Sequence, residues 1–215
     1  MCNLYSMTSN AEAIRRLFCA DTAPLGNQPP LPAIFPGHTA PVVRLAATGG
    51  REVVPMRWGF ILPQKDRAPK AVTNARDNKV IASSFWKPSF HQRRCLVPAT
   101  SFAEPKGKQP AIWHWFGLNG EGDRPLFAFA GLWTRWRGMF KGEQVDFTVY
   151  AILTTDPNDV VSPIHPNRMP VILHEADYET WLNASPEAAH ALARPFPAQA
   201  MRIVHKGEKQ DPGNL

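Results

Sequence analysis

Proline occurs 22 times in 215 residues, with 14 glycines beside it. Proline interrupts a helix interior or a central strand, because it lacks an N–H and fixes φ. A chain punctuated this densely is confined to short elements joined by shaped loops. Only a few helices are signalled. Ser9 and Glu12 have capping-box spacing, and Ile14, Leu17 and Phe18 then fall on one face. Asp77 to Phe85 reads as a short helix closed by Lys87-Pro88, and Glu175 to Leu182 as another. Ser185-Pro186-Glu187 opens a further one, with a cap and then proline at the first helical position.

Strand-like runs are more numerous. Pro41 to Thr48 and Arg51 to Arg57 flank the turn pair Gly49-Gly50. Arg94 to Pro98, Ala111 to Leu118, Leu126 to Trp133, Val145 to Thr154 and Met201 to Lys206 follow, while the proline-rich stretch Leu25 to Pro36 reads as irregular. Strands outnumber helices and do not alternate with them. The expected fold is therefore α+β, a mainly antiparallel sheet core with flanking short helices. No repeat or long linker divides the chain, so residues 1–215 are expected to form one domain.

With 44% hydrophobic and 20% charged residues the chain can bury a core of its own and is no disordered segment. The longest apolar run falls well short of the ~20 residues of a membrane span, and no signal peptide is apparent at the start. Three cysteines (Cys2, Cys19, Cys95) lack metal spacing and are odd in number, which points to a reducing compartment and a cytoplasmic location. The histidines also lack ligand spacing, so neither metal nor cofactor is expected. A formal net charge of +6 favours a polyanionic partner.

Cys2 has the most distinctive chemistry. Loss of Met1 would leave a cysteine bearing both a free amine, of pKa about 7.7–8.0, and a thiol near 8.5. Such a 1,2-aminothiol condenses with an aldehyde to an imine, and the thiol then closes a five-membered ring. The amine can alternatively serve as base for its own thiol. Four further features stand out. Asn74 offers donor and acceptor, and Arg76 a planar fork suited to phosphate. Glu104 is a lone carboxyl between Ala103 and Pro105, open to a raised pKa. His165 sits in a loop stiffened by Pro163, Pro166 and Pro170. Trp58 precedes a glycine and a loop and could stack on a base. Each also has a plain structural explanation. Cys2 could be tucked into a strand, Arg76 solvated, Glu104 a surface group before a turn, His165 a structural hydrogen-bonder and Trp58 core.

Taken in order, Met1-Cys2-Asn3, Arg57-Trp58-Gly59, Asn74-Ala75-Arg76, Arg94-Cys95-Leu96-Val97-Pro98-Ala99 with Phe102-Ala103-Glu104, Phe129-Ala130-Gly131-Leu132-Trp133, and His165 with Arg168-Met169-Pro170-Val171 resemble the SOS response-associated peptidase (SRAP) family, the abasic-site processing proteins. The resemblance implies one mixed domain with a positively charged channel for single-stranded DNA, acting as a monomer. It implies a covalent thiazolidine link between Cys2 and an abasic site, with weak lyase and self-cleaving peptidase activities as accompaniments. Asn74 would hold the opened sugar or the amine, Glu104 would move protons, and His165 would stabilise the sugar oxygen or open the ring. Arg76 would grip a phosphate, with Trp58 and the loop at Pro36 near the bases. The chain departs from the family pattern at Asn3-Leu4, at Ile34-Phe35, beside Glu104, and in the spacing from His165 to Arg168. Two other readings remain open on the residues alone: an amidohydrolase with Cys2 as N-terminal nucleophile, and a non-covalent single-strand binder.

Overall fold

The computed structural model describes residues 2–21, 29–122 and 124–213. The chain begins with β1 (Tyr5–Met7), α1 (Ala11–Leu17) and β2 (Leu31–Ile34). A hairpin of β3 (Thr39–Leu45) and β4 (Arg51–Trp58) leads to a two-stranded ribbon, β5 (Phe60–Gln64) and β6 (Arg67–Val72). Then come β7 (Asn74–Arg76), α2 (Asp77–Val80) and α3 (Lys87–Gln92). The central strands are β8 (Arg94–Ala99), β9 (Ser101–Lys106), β10 (Ile112–Leu118), β11 (Phe127–Phe140) and β12 (Glu143–Thr155). Two short strands, β13 (Met169–Pro170) and β14 (Ile172–Leu173), precede α4 (Tyr178–Asn183), α5 (Pro186–Ala191) and β15 (Met201–Gly207).

Five strands close a ring in the order β12, β4, β3, β8, β11 and back to β12. A second, open sheet runs β15–β10–β9–β1–β2. β12 pairs in parallel with β4 and β7, and the other ladders are antiparallel. The α+β, mainly antiparallel architecture expected from the sequence is the one found.

Local chemistry explains the joints. Lys141 and Gly142, at φ of 53° and 87°, form the two-residue turn between β11 and β12, whose positive φ values match the strand twist. At Gly131 a Cβ would come within 2.7 Å of Val97 Cγ2 and 2.8 Å of Cys95 Sγ, so glycine lets β11 lie close to β8. The two sheets share one apolar core. Tyr5 of the open sheet sets its ring edge-on to Trp58 (5.2 Å between centroids) and to Phe129 (5.7 Å) of the ring. Each such aromatic contributes roughly 1.5–3 kcal/mol by leaving water.

Four local expectations need correcting. The cap of α1 is Asn10, whose side chain accepts from Ala13 N at 2.8 Å, while Glu12 pairs with Arg15 instead of reaching back to Ser9. Lys87-Pro88 opens α3 rather than closing a helix, because an N–H in the first turn needs no helical partner. Within Leu25 to Pro36, residues 31–34 form an edge strand, where Pro32 is tolerated; residues 25–28 lie outside those described. Ser101–Lys106 is a strand lying between β10 and β1, so Glu104 is not a surface group before a turn.

Candidate active site

The segment 2–4 runs beside β9, with Leu4 O accepting from Ala103 N at 2.9 Å. This draws Cys2 inward until only 1% of it is exposed, its Sγ 3.6 Å from Leu4 O. Asn74, at the start of β7, donates from Nδ2 to the Cys2 carbonyl (2.8 Å) and to Thr73 Oγ1 (3.0 Å). Thr73 in turn donates to Asn3 Oδ1 at 3.1 Å. The first residues are thus clasped by Thr73-Asn74, and the parallel pairing of Asn74 with Ile152 sets the clasp on the ring. Asn74 Oδ1 is buried and has no hydrogen-bond partner among the described residues.

Glu104 reaches the same place from the open sheet. It is 2% exposed, and its Oε1 has no hydrogen-bond partner among the described residues. Burial penalises the carboxylate and raises its pKa from an ordinary 4.5 to about 7. The other oxygen, Oε2, lies 4.0 Å from His165 Nε2. Nδ1 of His165 sits 2.7 Å from the Arg168 carbonyl, which assigns its proton to Nδ1 and turns Nε2 toward Glu104. The Arg168 N–H, at 3.4 Å from the same nitrogen, is too distant to compete. Burial lowers the His165 pKa, so the ring is neutral at pH 7. Burial, helped by the charge of Glu104, raises that of the Cys2 thiol, so sulfur keeps its proton there.

Arg168 holds the loop in place. Its guanidinium donates to Asp77 Oδ1 (2.5 Å), to Asp156 Oδ1 (3.1 Å) and to the Thr154 carbonyl. Burial works to raise the Asp77 carboxyl pKa, but hydrogen bonds from Arg168, Thr155 and the Asn78 N–H hold it below its usual value. Asn158 supports the loop from behind, its Oδ1 accepting from Val160 N and Val161 N at 3.1 and 3.0 Å. Above this frame Arg76, His165, Asn167 and Arg168 line an open groove of about 440 Å³. Arg76 is exposed there, free of the clamp that occupies Arg168.

Cys2, Asn74, Glu104 and His165 therefore meet, with Arg76 at the rim. Trp58 does not join them as a stacking platform. It is fully buried, lies parallel to Tyr150 with centroids 6.2 Å apart, meets Tyr5 edge-on, and donates Nε1 to Thr73 O at 3.0 Å. Its place is under the clasp, where no base can reach its faces. Pro36 is exposed, in the turn whose Gly37 N bonds Trp58 O at 2.8 Å. Thr73 and the positioning role of Arg168 escaped the sequence reading. Only their neighbours Asn74 and His165 hinted at them.

A fold of a closed strand ring flanked by an open sheet, with a clasped second residue at their junction, defines a recognisable class. The family model "SOS response associated peptidase (SRAP)" matches residues 1–207, and the chain belongs to that family. Among its relatives, "Abasic site processing protein YoqW" of Bacillus subtilis (strain 168) is 29% identical over 212 residues, covering 94% of this chain and 90% of the relative. "Abasic site processing protein YobE" of the same organism is 28% identical, covering 94% and 92%. A solved protein from Bordetella bronchiseptica superposes with a TM-score of 0.73 at 24% identity, covering 96% of this chain and 98% of the other. One from Bacteroides thetaiotaomicron does so with 0.71 at 23%, covering 94% and 90%. At that identity the two structures speak for the fold alone.

Proposed function

We propose that this protein processes abasic sites in single-stranded DNA, capturing the ring-opened sugar aldehyde on Cys2 once Met1 has been removed. The observation that carries this reading is the convergence of Cys2, Asn74, Glu104 and His165 beneath a groove rimmed by Arg76. The family and the names of its relatives point the same way.

The steps follow from the groups present. The Cys2 amine adds to the aldehyde carbon and gives a carbinolamine. Glu104, with a pKa near 7, is part protonated at neutral pH and supplies the proton with which the hydroxyl leaves as water. The imine carbon then accepts the Cys2 sulfur, whose proton passes to the carboxylate just formed. Carbon–sulfur bond formation closes the thiazolidine ring, and the net change is loss of one water. The neutral His165 Nε2 can take a hydrogen bond from the sugar hydroxyl and help open the ring. Asn74 Oδ1, buried without a partner among the described residues, is suited to accept from the amine or the sugar while Nδ2 holds the Cys2 backbone. Arg76 pairs with a phosphate at the rim.

The test is intact mass spectrometry of the protein, shown to lack Met1, after mixing with an oligonucleotide bearing one abasic site. The expected product is protein plus oligonucleotide less one water, stable to denaturation and absent for Cys2→Ala. No adduct with the wild-type protein would falsify the proposal.

A further inference from the structure

We infer that the chain carries a second anion site, a phosphate-binding cavity on the ring that none of the residues around Cys2 lines. It is an open cavity of about 740 Å³ bounded by Arg44, Arg93, Trp133, Thr134, Arg135 and Thr148, with Asp146 at one side. A second hollow of about 600 Å³ continues from it past Arg44 and Trp133 along residues 45–48.

Two of the arginines are held ready with donors to spare. The Arg44 guanidinium lies 4.3 Å over the Trp133 ring, and its Nε donates to Glu52 at 2.7 Å. Among the described residues that bond and that stack account for Arg44, which leaves both terminal nitrogens to the cavity. Arg93 is anchored at one corner, NH2 to Ser89 Oγ at 3.1 Å, and its Nε is buried with no hydrogen-bond partner among the described residues. Arg93 is also tied to the stack, since its carbonyl accepts from Trp133 N at 2.9 Å. Arg135 and Arg137 share Asp146. Three guanidinium groups, of Arg44, Arg93 and Arg135, thus line the cavity against Asp146, with Glu52 in the adjoining hollow, and positive charge is in excess.

The terminal nitrogens that Arg44 and Arg93 do not spend on Glu52 and Ser89 are donors without a bond among the described residues, and an anion in the cavity can take them. Two forks approaching from β3 and from the start of β8 suit a tetrahedral oxyanion, which can accept from several directions. A planar carboxylate engages one fork face to face. The ligand is a phosphate group, either of a nucleic-acid strand or free in solution. The inference goes beyond capture at Cys2 and is read out with undamaged DNA, so failure of one leaves the other standing.

Inorganic phosphate is titrated calorimetrically, and an undamaged single-stranded oligonucleotide is followed by anisotropy across a salt series. Arg44→Gln with Arg93→Gln is expected to weaken binding roughly tenfold and to lower the salt slope for the oligonucleotide by about 0.7 for each phosphate no longer neutralised. Thr148→Glu, opposite Arg135 on the neighbouring strand and on the cavity face, places a carboxylate in the cavity without touching either arginine and is expected to weaken binding likewise, which covers failure of the double variant to fold. Weakening toward the oligonucleotide assigns the site to a strand. Weakening toward inorganic phosphate alone assigns it to the free anion. Unchanged affinity for both in both variants, or a wild-type protein that binds neither, overturns the inference.

Discussion

Glu104 couples stability to chemistry within one side chain. Its folded pKa is raised to about 7 against an ordinary 4.5, so the folded protein binds a proton that the unfolded chain releases between those values. Stability from this group is complete below the unfolded pKa and declines as pH rises through the folded one. Glu104→Gln removes the charge that burial penalises. It is expected to raise the unfolding free energy at pH 8 by on the order of 3 kcal/mol and to add little at pH 4. Chemical denaturation at the two pH values measures the difference, and equal gains at both would contradict the assignment. The same variant is expected to slow capture of abasic DNA and to lose any inflection of rate near pH 7. Greater stability with weaker chemistry is the signature of a carboxyl group retained for proton transfer.

The loop carrying His165 owes its placement to another element. Arg168 ties it to Asp77, directly after β7, and to the end of β12, while its carbonyl fixes the His165 tautomer. Arg168→Ala removes one partner of a mostly buried pair, with side chains 11% and 17% exposed, and is expected to cost about 3 kcal/mol at pH 7. Asp77 has a lowered pKa in the folded state, so its share of stability is present above the unfolded pKa and is lost as pH falls through the folded one. The deficit of Arg168→Ala should therefore shrink in acid, as urea titrations at neutral and acid pH would show; a constant deficit would separate Arg168 from Asp77. Capture should slow as well, because the backbone whose carbonyl orients His165 is no longer tethered.

For the molecule as a whole, the junction of the two sheets decides whether a site exists. Cys2 and Glu104 belong to the open-sheet side, Asn74 and His165 to the flank of the ring, and the Tyr5 and Tyr150 hydroxyls meet across the boundary at 2.6 Å. The tail strengthens the open sheet from outside the family match, which ends at residue 207. Asp211, fully buried, pairs with Arg124 through two 2.8 Å bonds and accepts from Ser6 and Ser101. Asp211→Asn removes the buried charge that takes two bonds from Arg124 and is expected to cost roughly 3–5 kcal/mol. A thermal midpoint unchanged from wild type would show that the tail carries no such load.

The sequence by itself determined the α+β class and most of the longer strands, since periodicity, proline and glycine act over a few residues, though not the strands β1, β2, β5, β6, β7 and β9, and the ordered motifs singled out Cys2, Asn74, Glu104 and His165. It could not show that Trp58 lies under the clasp and not in the groove, that residues 101–106 form an inner strand, or that Arg168 is spent on Asp77 and Asp156. Those outcomes depend on which groups are desolvated together. Burial is a property of segments far apart in the chain, and here the packing of ring against sheet alone brings Glu104 to His165 and shifts the Glu104 pKa into the range where a carboxyl can both give and take a proton.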